Sequence, residues 1–102
     1  MARIRKIKPE FWTSEQIVEC STSARLLFIG IWNFADDGGV HVASAKRLKM
    51  EIFPGDSCTV KQIEGWIDEL IKARLLIRYE VESQWYIRVS GWEKHQRIDR
   101  PT

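Results

Sequence analysis

The sequence predicts an α+β fold, with short amphipathic helices up to about residue 73 and a β-hairpin beyond them. Three observations predict it. Apolar residues recur at helical spacing in three stretches, about 21–35, 44–52 and 59–73. Each of these opens on a Ser or Thr able to cap a helix. Then "LLIRYEV" and "WYIRVS" alternate with period two on either side of the polar link "ESQ". With the short apolar "VHV" at 40–42, the order is helix, strand, helix, helix, strand, strand. Two short helices followed by a β-hairpin is the layout of a winged helix, an elaborated helix-turn-helix.

The elements are justified in chain order. Residues 1–8 set Ile4 and Ile7 among Arg3, Arg5, Lys6 and Lys8, as an edge strand or an extended basic arm. Ile4, Ile7 and Phe11 are expected to pin this arm to the body with its cations outward, because exposed large apolar groups are costly. Pro9 suits a helical first turn. "TSEQ" at 13–16 matches a capping box and predicts a short helix to about Glu19. In the next helix Ala24, Leu27, Phe28, Ile31 and Ala35 share one face, while Leu26 and Ile29 point the other way. A helix apolar on two sides is buried on two sides. Either Phe11, Trp12 and Ile17 fold back over the second face, or a second subunit covers it. Phe11, Trp12, Leu26 and Ile29 are therefore the candidates for self-association. "DDGG" at 36–39 ends the helix in a turn.

Ser44 caps a brief helix with Ala45, Leu48 and Ile52 inward and Lys46, Arg47 and Lys49 outward. "FPGD" breaks it. "TVKQ" at 59–62 is a second capping box and opens the clearest helix. Val60, Ile63, Ile67, Leu70 and Ile71 form its apolar face, opposite Lys61, Gln62, Gly65, Asp68, Glu69 and Lys72. In the hairpin, Leu75, Ile77, Tyr79 and Val81 are expected on one face, matched by Trp85, Ile87 and Val89. The tail, 91–102, is polar and basic, with Trp92 docked and Lys94, Arg97 and Arg100 outward.

The 102 residues are expected to form a single domain, with a basic arm at 1–8 and a basic tail at 91–102. The net charge of +2 predicts no partner by itself. Its distribution is more telling: the chain is basic at both ends and acidic between them. Two cysteines, Cys20 and Cys58, are too few for a disulfide framework, no signal peptide is visible, and "LLFIGIW" is too short to span a membrane. A cytoplasmic protein with reduced thiols and no membrane contact is expected. There is no Gly-rich phosphate loop, CxxC or HExxH, and His41 and His95 do not stand at metal-ligand spacing from either cysteine. Neither an enzyme nor a cofactor is expected.

The remaining classes are nucleic-acid binding and protein assembly. Arg3, Arg5, Lys6, Lys8, Lys46, Arg47, Lys49, Lys94, Arg97 and Arg100 are candidate phosphate contacts on DNA, most simply a duplex. Lys61 and Gln62, at the start of the helix in the recognition position, are candidate base contacts. Asp68 and Glu69 on that helix, and Glu80 and Glu82 near the hairpin tip, oppose DNA contact there and favour a protein partner.

"IRKIKPEFWTSEQIVECS", "ARLLFIGIWNFADDGG" and "WEKHQRIDRP" resemble the N-terminal part of phage and prophage replication proteins related to DnaD-type initiators. The resemblance implies a winged-helix domain, DNA binding at an origin, assembly into a homo-oligomer and loading of a replicative helicase. In such proteins a linker and a second domain usually follow. An assembly module of a helicase-loading complex, or a transcriptional repressor of the same fold, are the alternatives.

Overall fold

The computed structural model describes residues 2–96. A 3-10 helix, Pro9–Thr13, leads into α1 (Glu15–Val18) and α2 (Thr22–Phe34). Then follow β1 (Val40–Val42), α3 (Ala45–Ile52), α4 (Val60–Lys72), β2 (Leu76–Val81), β3 (Gln84–Val89) and α5 (Trp92–His95). The fold is α+β: helices pack on a three-stranded antiparallel sheet of order β1-β3-β2.

Local chemistry starts the three main helices. Ser21 Oγ accepts the Ala24 N–H at 3.2 Å, and Ser44 Oγ accepts the Arg47 N–H at 3.2 Å. At α4 the full capping box forms: Thr59 Oγ1 accepts the Gln62 N–H at 3.1 Å and Gln62 Oε1 accepts the Thr59 N–H at 2.8 Å. Each such cap contributes about 1 kcal/mol. The box expected at 13–16 does not form. Ser14 is the N-cap of α1 without a side-chain bond, and Thr13 Oγ1 donates to Glu10 O at 3.4 Å. Gln16 is drawn elsewhere: its Nε2 donates to Ala73 O, at the end of α4, at 2.9 Å.

The C-terminus of α4 is a Schellman motif. The Leu75 N–H donates to Leu70 O at 2.9 Å and the Arg74 N–H to Ile71 O at 3.0 Å. Arg74 sits in the left-handed position, φ 65°, usually held by glycine.

Ala24, Leu27, Phe28 and Ile31 of α2, Leu48 of α3, and Ile63, Ile67 and Leu70 of α4 are buried against Leu76, Ile87 and Val89 of the sheet. Helices α2 and α3 meet closely at Gly30, where an added Cβ would lie 2.6 Å from Ile52. Phe11 folds back onto α2, but over Phe28 and Trp32 and not over Leu26: Phe11 meets Trp32 edge-on, with ring centroids 5.4 Å apart, and Phe28 meets Trp32 at 5.3 Å. Phe11 is thereby buried and Ile29 partly so, which removes Phe11 from the self-association candidates. Trp12 and Leu26 remain 59% and 57% exposed. Val60, expected inward, is exposed.

The hairpin differs from expectation in parity. Leu76 pairs with Val89 and Arg78 with Ile87, so Leu76 shares the core face with Ile87 and Val89. Ile77, Tyr79 and Val81 lie with Tyr86 on the other face, and Ile77 is 51% exposed. Two local features set this. The Schellman turn delivers Leu76 to the core. The link is a two-residue turn, Glu82 and Ser83, with φ of 48° and 68°, which pairs Val81 with Gln84.

Candidate nucleic-acid interface

The basic arm docks, but with its faces reversed. Arg3 pairs its backbone with Asn33: the Arg3 N–H donates to Asn33 O at 2.8 Å, and Asn33 Nδ2 donates to Arg3 O at 2.8 Å. Arg5 turns inward. Its Nε donates to Trp32 O at 2.9 Å, and its Nη2 donates to Ala35 O at 3.1 Å and Asp36 O at 3.3 Å. The guanidinium also lies 4.8 Å from the centre of the Trp92 ring. Asp37 takes both arginines, Arg3 Nε at 3.3 Å and Arg5 Nη2 at 3.7 Å.

The reason is the end of α2. Its last carbonyls lack helical partners and carry the negative end of the helix dipole. A guanidinium satisfies several of them at once. Ile4 is left 97% exposed and Ile7 is exposed too, so the arginines pin the arm rather than the isoleucines. Arg5, with its side chain 5% exposed, is committed to the fold and is not a phosphate contact. Arg3 is engaged by Asp37.

The tail closes over the arm. Trp92 is buried, and its Nε1 donates to Asp37 O at 2.8 Å. It fits because Gly39 (φ 78°) has no Cβ; one added there would stand 2.6 Å from the indole. Gln96 bonds the backbone of Lys6, and Lys8 Nζ donates to Lys94 O at 3.1 Å. The side chains of Lys6, Lys8 and Lys94 are exposed. Arg97 and Arg100 lie outside the described residues.

A second basic group stands on α3. Lys46 and Arg47 are exposed, and Arg47 Nε lies 3.4 Å from Glu51. Lys49 is half-buried, its Nζ donating to Asp56 O at 3.4 Å in the turn before α4. His41, buried in β1, anchors α3 from beneath: its Nε2 lies 2.8 Å from Glu51 Oε1 and its Nδ1 2.7 Å from Val42 O.

On α4, Lys61 is exposed. Gln62 is exposed as well, but its Oε1 is held by the capping box. Glu69, expected outward, instead accepts the Ser21 N–H at 2.8 Å and the Ser21 hydroxyl at 2.9 Å. Asp68 stands 3.9 Å from Arg78. The acidity of this helix is thus partly engaged in internal bonds. Gly65 faces open space, with nothing within 4 Å of where a Cβ would be. Glu80 and Glu82 are exposed on the hairpin.

Some organising residues escaped sequence reasoning. Arg25 Nε donates to Ile17 O and Cys20 O, both at 2.9 Å, and its Nη2 to Val18 O at 3.0 Å, closing the end of α1. Asn33, Asp37 and Gln96 are others. Asn33 and Gln96 bond backbone groups distant in sequence, and Asp37 pairs with arginines some thirty residues away, which no local pattern announces. Burial pushes the Cys20 thiol up from its ordinary value, with Glu69 and Glu19 adding to the shift and Arg25 opposing it. A backbone hydrogen bond at Glu93 holds that carboxyl low, helped by Arg88 at 2.9 Å.

Among the described residues no three His, Cys, Asp or Glu side chains gather as a metal site, and no helix is long and apolar enough to cross a membrane. Comparison with known proteins finds no matching family model, no matching curated sequence and no matching solved structure.

Proposed function

We propose that this chain is a winged-helix DNA-binding domain of the kind that opens phage-type replication initiators, meeting duplex DNA mainly through backbone phosphates. One observation carries the reading: Lys46 and Arg47 stand exposed on α3, with Lys49 beside them, immediately before a capped α4 that presents Lys61 in the open. The order α2, β1, α3, α4, β2, β3 supports the fold assignment, with α3 and α4 as the helix-turn-helix pair and β2–β3 as the wing. Phosphate contacts from α3 position the domain, and Lys61 is the residue that reaches toward base edges. Lys6, Lys8 and Lys94 form an auxiliary basic group. Recruitment of a replicative helicase rests on the sequence resemblance alone.

Duplex binding at several salt concentrations tests this. Changing Lys46, Arg47 and Lys49 together to Gln should shrink the slope of log affinity against log salt by about 0.9 for each phosphate no longer neutralised. No binding to any duplex at low salt would overturn the reading. A strong preference for an operator-like site outside any origin would favour a repressor of the same fold.

A second reading, self-association, has its own support. Ile77, Tyr79, Val81 and Tyr86 form a half-exposed apolar outer face on the sheet, and Trp12 and Leu26 are exposed elsewhere. Light scattering on the protein alone tests it: a strict monomer at high concentration would remove it.

A further inference from the structure

Strand β2 is an edge of the sheet. Successive residues of a strand turn their backbone groups to opposite sides, and two observations fix the phase here. Glu82 and Ser83 form a two-residue turn with both φ positive, which makes Val81 and Gln84 a hydrogen-bonded pair. At the other end of the strand the Ser90 N–H donates to Leu75 O at 3.0 Å, in the same phase. Ile77, Tyr79 and Val81 therefore bond β3, while Leu76, Arg78 and Glu80 turn their N–H and C=O groups away from it. Among the described residues no strand lies beyond β2, and no turn or loop bonds the outward backbone of Arg78 or Glu80.

Natural edges usually carry a guard against a further strand, such as shortness, a proline, a bulge or charge. β2 runs six residues, holds no proline and pairs one-for-one with β3. Its charges are Arg78 and Glu80, opposite in sign, both outward in backbone and both exposed. That makes the edge selective rather than closed. An antiparallel second β2 must match outward residue to outward residue. Centred on Arg78, the pairing sets two arginines against each other; centred on Glu80, it does the same with two glutamates. Centred on Tyr79, it sets Arg78 against Glu80 of the second copy, and does so twice. Opposite charges across strands attract and like charges repel, so only the last register is favoured. It also brings Ile77, 51% exposed, opposite Val81 of the second copy, a residue 49% exposed.

We infer that two copies of this chain pair antiparallel along β2, about a two-fold axis at Tyr79. The inference rests on the self-association reading and deepens it by naming the edge and the register. Each Arg78–Glu80 pair exchanges two backbone hydrogen bonds, as a narrow antiparallel pair does. The two sheets become one, the outer faces of Ile77, Tyr79, Val81 and Tyr86 join into a single apolar surface, and both helical layers lie on the opposite side. A strand from another protein could take the backbone bonds, but this charge pattern is complementary to itself.

A charge exchange tests the register, with sedimentation velocity over a concentration series as the readout. The natural chain should form a reversible dimer. Arg78→Glu alone, or Glu80→Arg alone, sets like charges against each other at both pairs and should weaken the dimer at least about tenfold. An equal mixture of these two variants restores opposite charges at both pairs and should dimerise like the natural chain, as should the double exchange. As a second measurement, Tyr79→Cys on a Cys20→Ala, Cys58→Ala background should cross-link to itself under mild oxidation. The two positions would stand about 4.5 Å apart at Cα, within disulfide range. Ile77→Cys on the same background should not. A natural chain that stays monomeric throughout would overturn both this inference and the self-association reading. Dimers of natural strength in both single variants, no recovery in the mixture, or no cross-link at Tyr79→Cys in a protein that does dimerise would overturn this inference alone and place the contact on another surface.

Discussion

Gln96 holds the backbone of Lys6 at both its acceptor and its donor. Its Nε2 donates to Lys6 O at 2.8 Å, and the Lys6 N–H donates to its Oε1 at 3.1 Å. One buried side chain thus ties arm to tail. Gln96→Ala should cost about 1 kcal/mol and lower Tm by about 4–8 °C. Hydrogen exchange should show weakened protection at the Lys6 amide and unchanged protection in α4. Full protection at Lys6 in the variant would show that the clamp contributes nothing.

Within the arm the cations divide into two kinds. Arg5 is buried against carbonyls, Asp37 and Trp92, whereas Lys6 and Lys8 are exposed. Arg5→Gln should therefore destabilise the fold by about 3 kcal/mol, since it leaves buried acceptors and a carboxylate short of a partner. Lys6→Gln with Lys8→Gln should change stability by less than about 0.5 kcal/mol. Urea unfolding of both variants compares them directly; equal midpoints would contradict the assignment.

Lys61 and Gln62 separate in the same way. Gln62→Ala breaks the capping box and should cost about 1 kcal/mol of stability. Lys61→Ala should leave stability unchanged and lower duplex affinity. A loss of sequence preference seen only in the Gln62 variant, at full stability, would return base contact to Gln62.

Arg74→Gly is expected to stabilise the protein. A non-glycine residue at positive φ costs about 1–2 kcal/mol. Glycine removes that strain but adds freedom to the unfolded chain, so the net gain should be about 0.5–1 kcal/mol. A lower denaturation midpoint would mean that the Arg74 side chain does more than occupy a turn.

Cys20 predicts an alkaline effect. Burial, then Glu69 and Glu19, raise its thiol above the ordinary 9.0. The folded state therefore keeps this proton more tightly than the unfolded state. Below about pH 9 both states hold it and stability is unaffected; above that, the unfolded thiol ionises first and stability falls as pH rises. Comparing midpoints at pH 8 and pH 10, Cys20→Ala should lose less stability than the natural chain. An identical drop would assign the alkaline loss to other groups.

What the sequence revealed follows the range of each interaction. The caps at Ser21, Ser44 and Thr59 depend on residues three apart, so their patterns were readable, as was the exposure of Lys46 and Arg47 on α3, though not the half-burial of Lys49. The strand parity was not, because Leu75, Leu76 and Ile77 are apolar in succession and alternation can start on either phase. The arm misled for a similar reason. A segment alternating Ile with cations reads equally well from either side. The carbonyls ending α2 and the Asp37 carboxylate decide it from some thirty residues away. Gln16 was drawn from its expected box to a carbonyl 57 residues distant.

The indole bond from Trp92 to Asp37 closes 55 residues of chain, and the Gln96 contacts close 90. Contacts of such separation incur their closure entropy before they return any energy. The pairing of α3 with α4 and the two-residue hairpin are far more local. The transition state for folding is therefore expected to contain the helices and hairpin, with arm and tail still loose. Substitutions at Arg5, Trp92 or Gln96 should then accelerate unfolding while leaving the folding rate nearly unchanged. Stopped-flow measurements would read this as a shifted unfolding limb alone; a slowed folding limb would place the clasp in the nucleus instead.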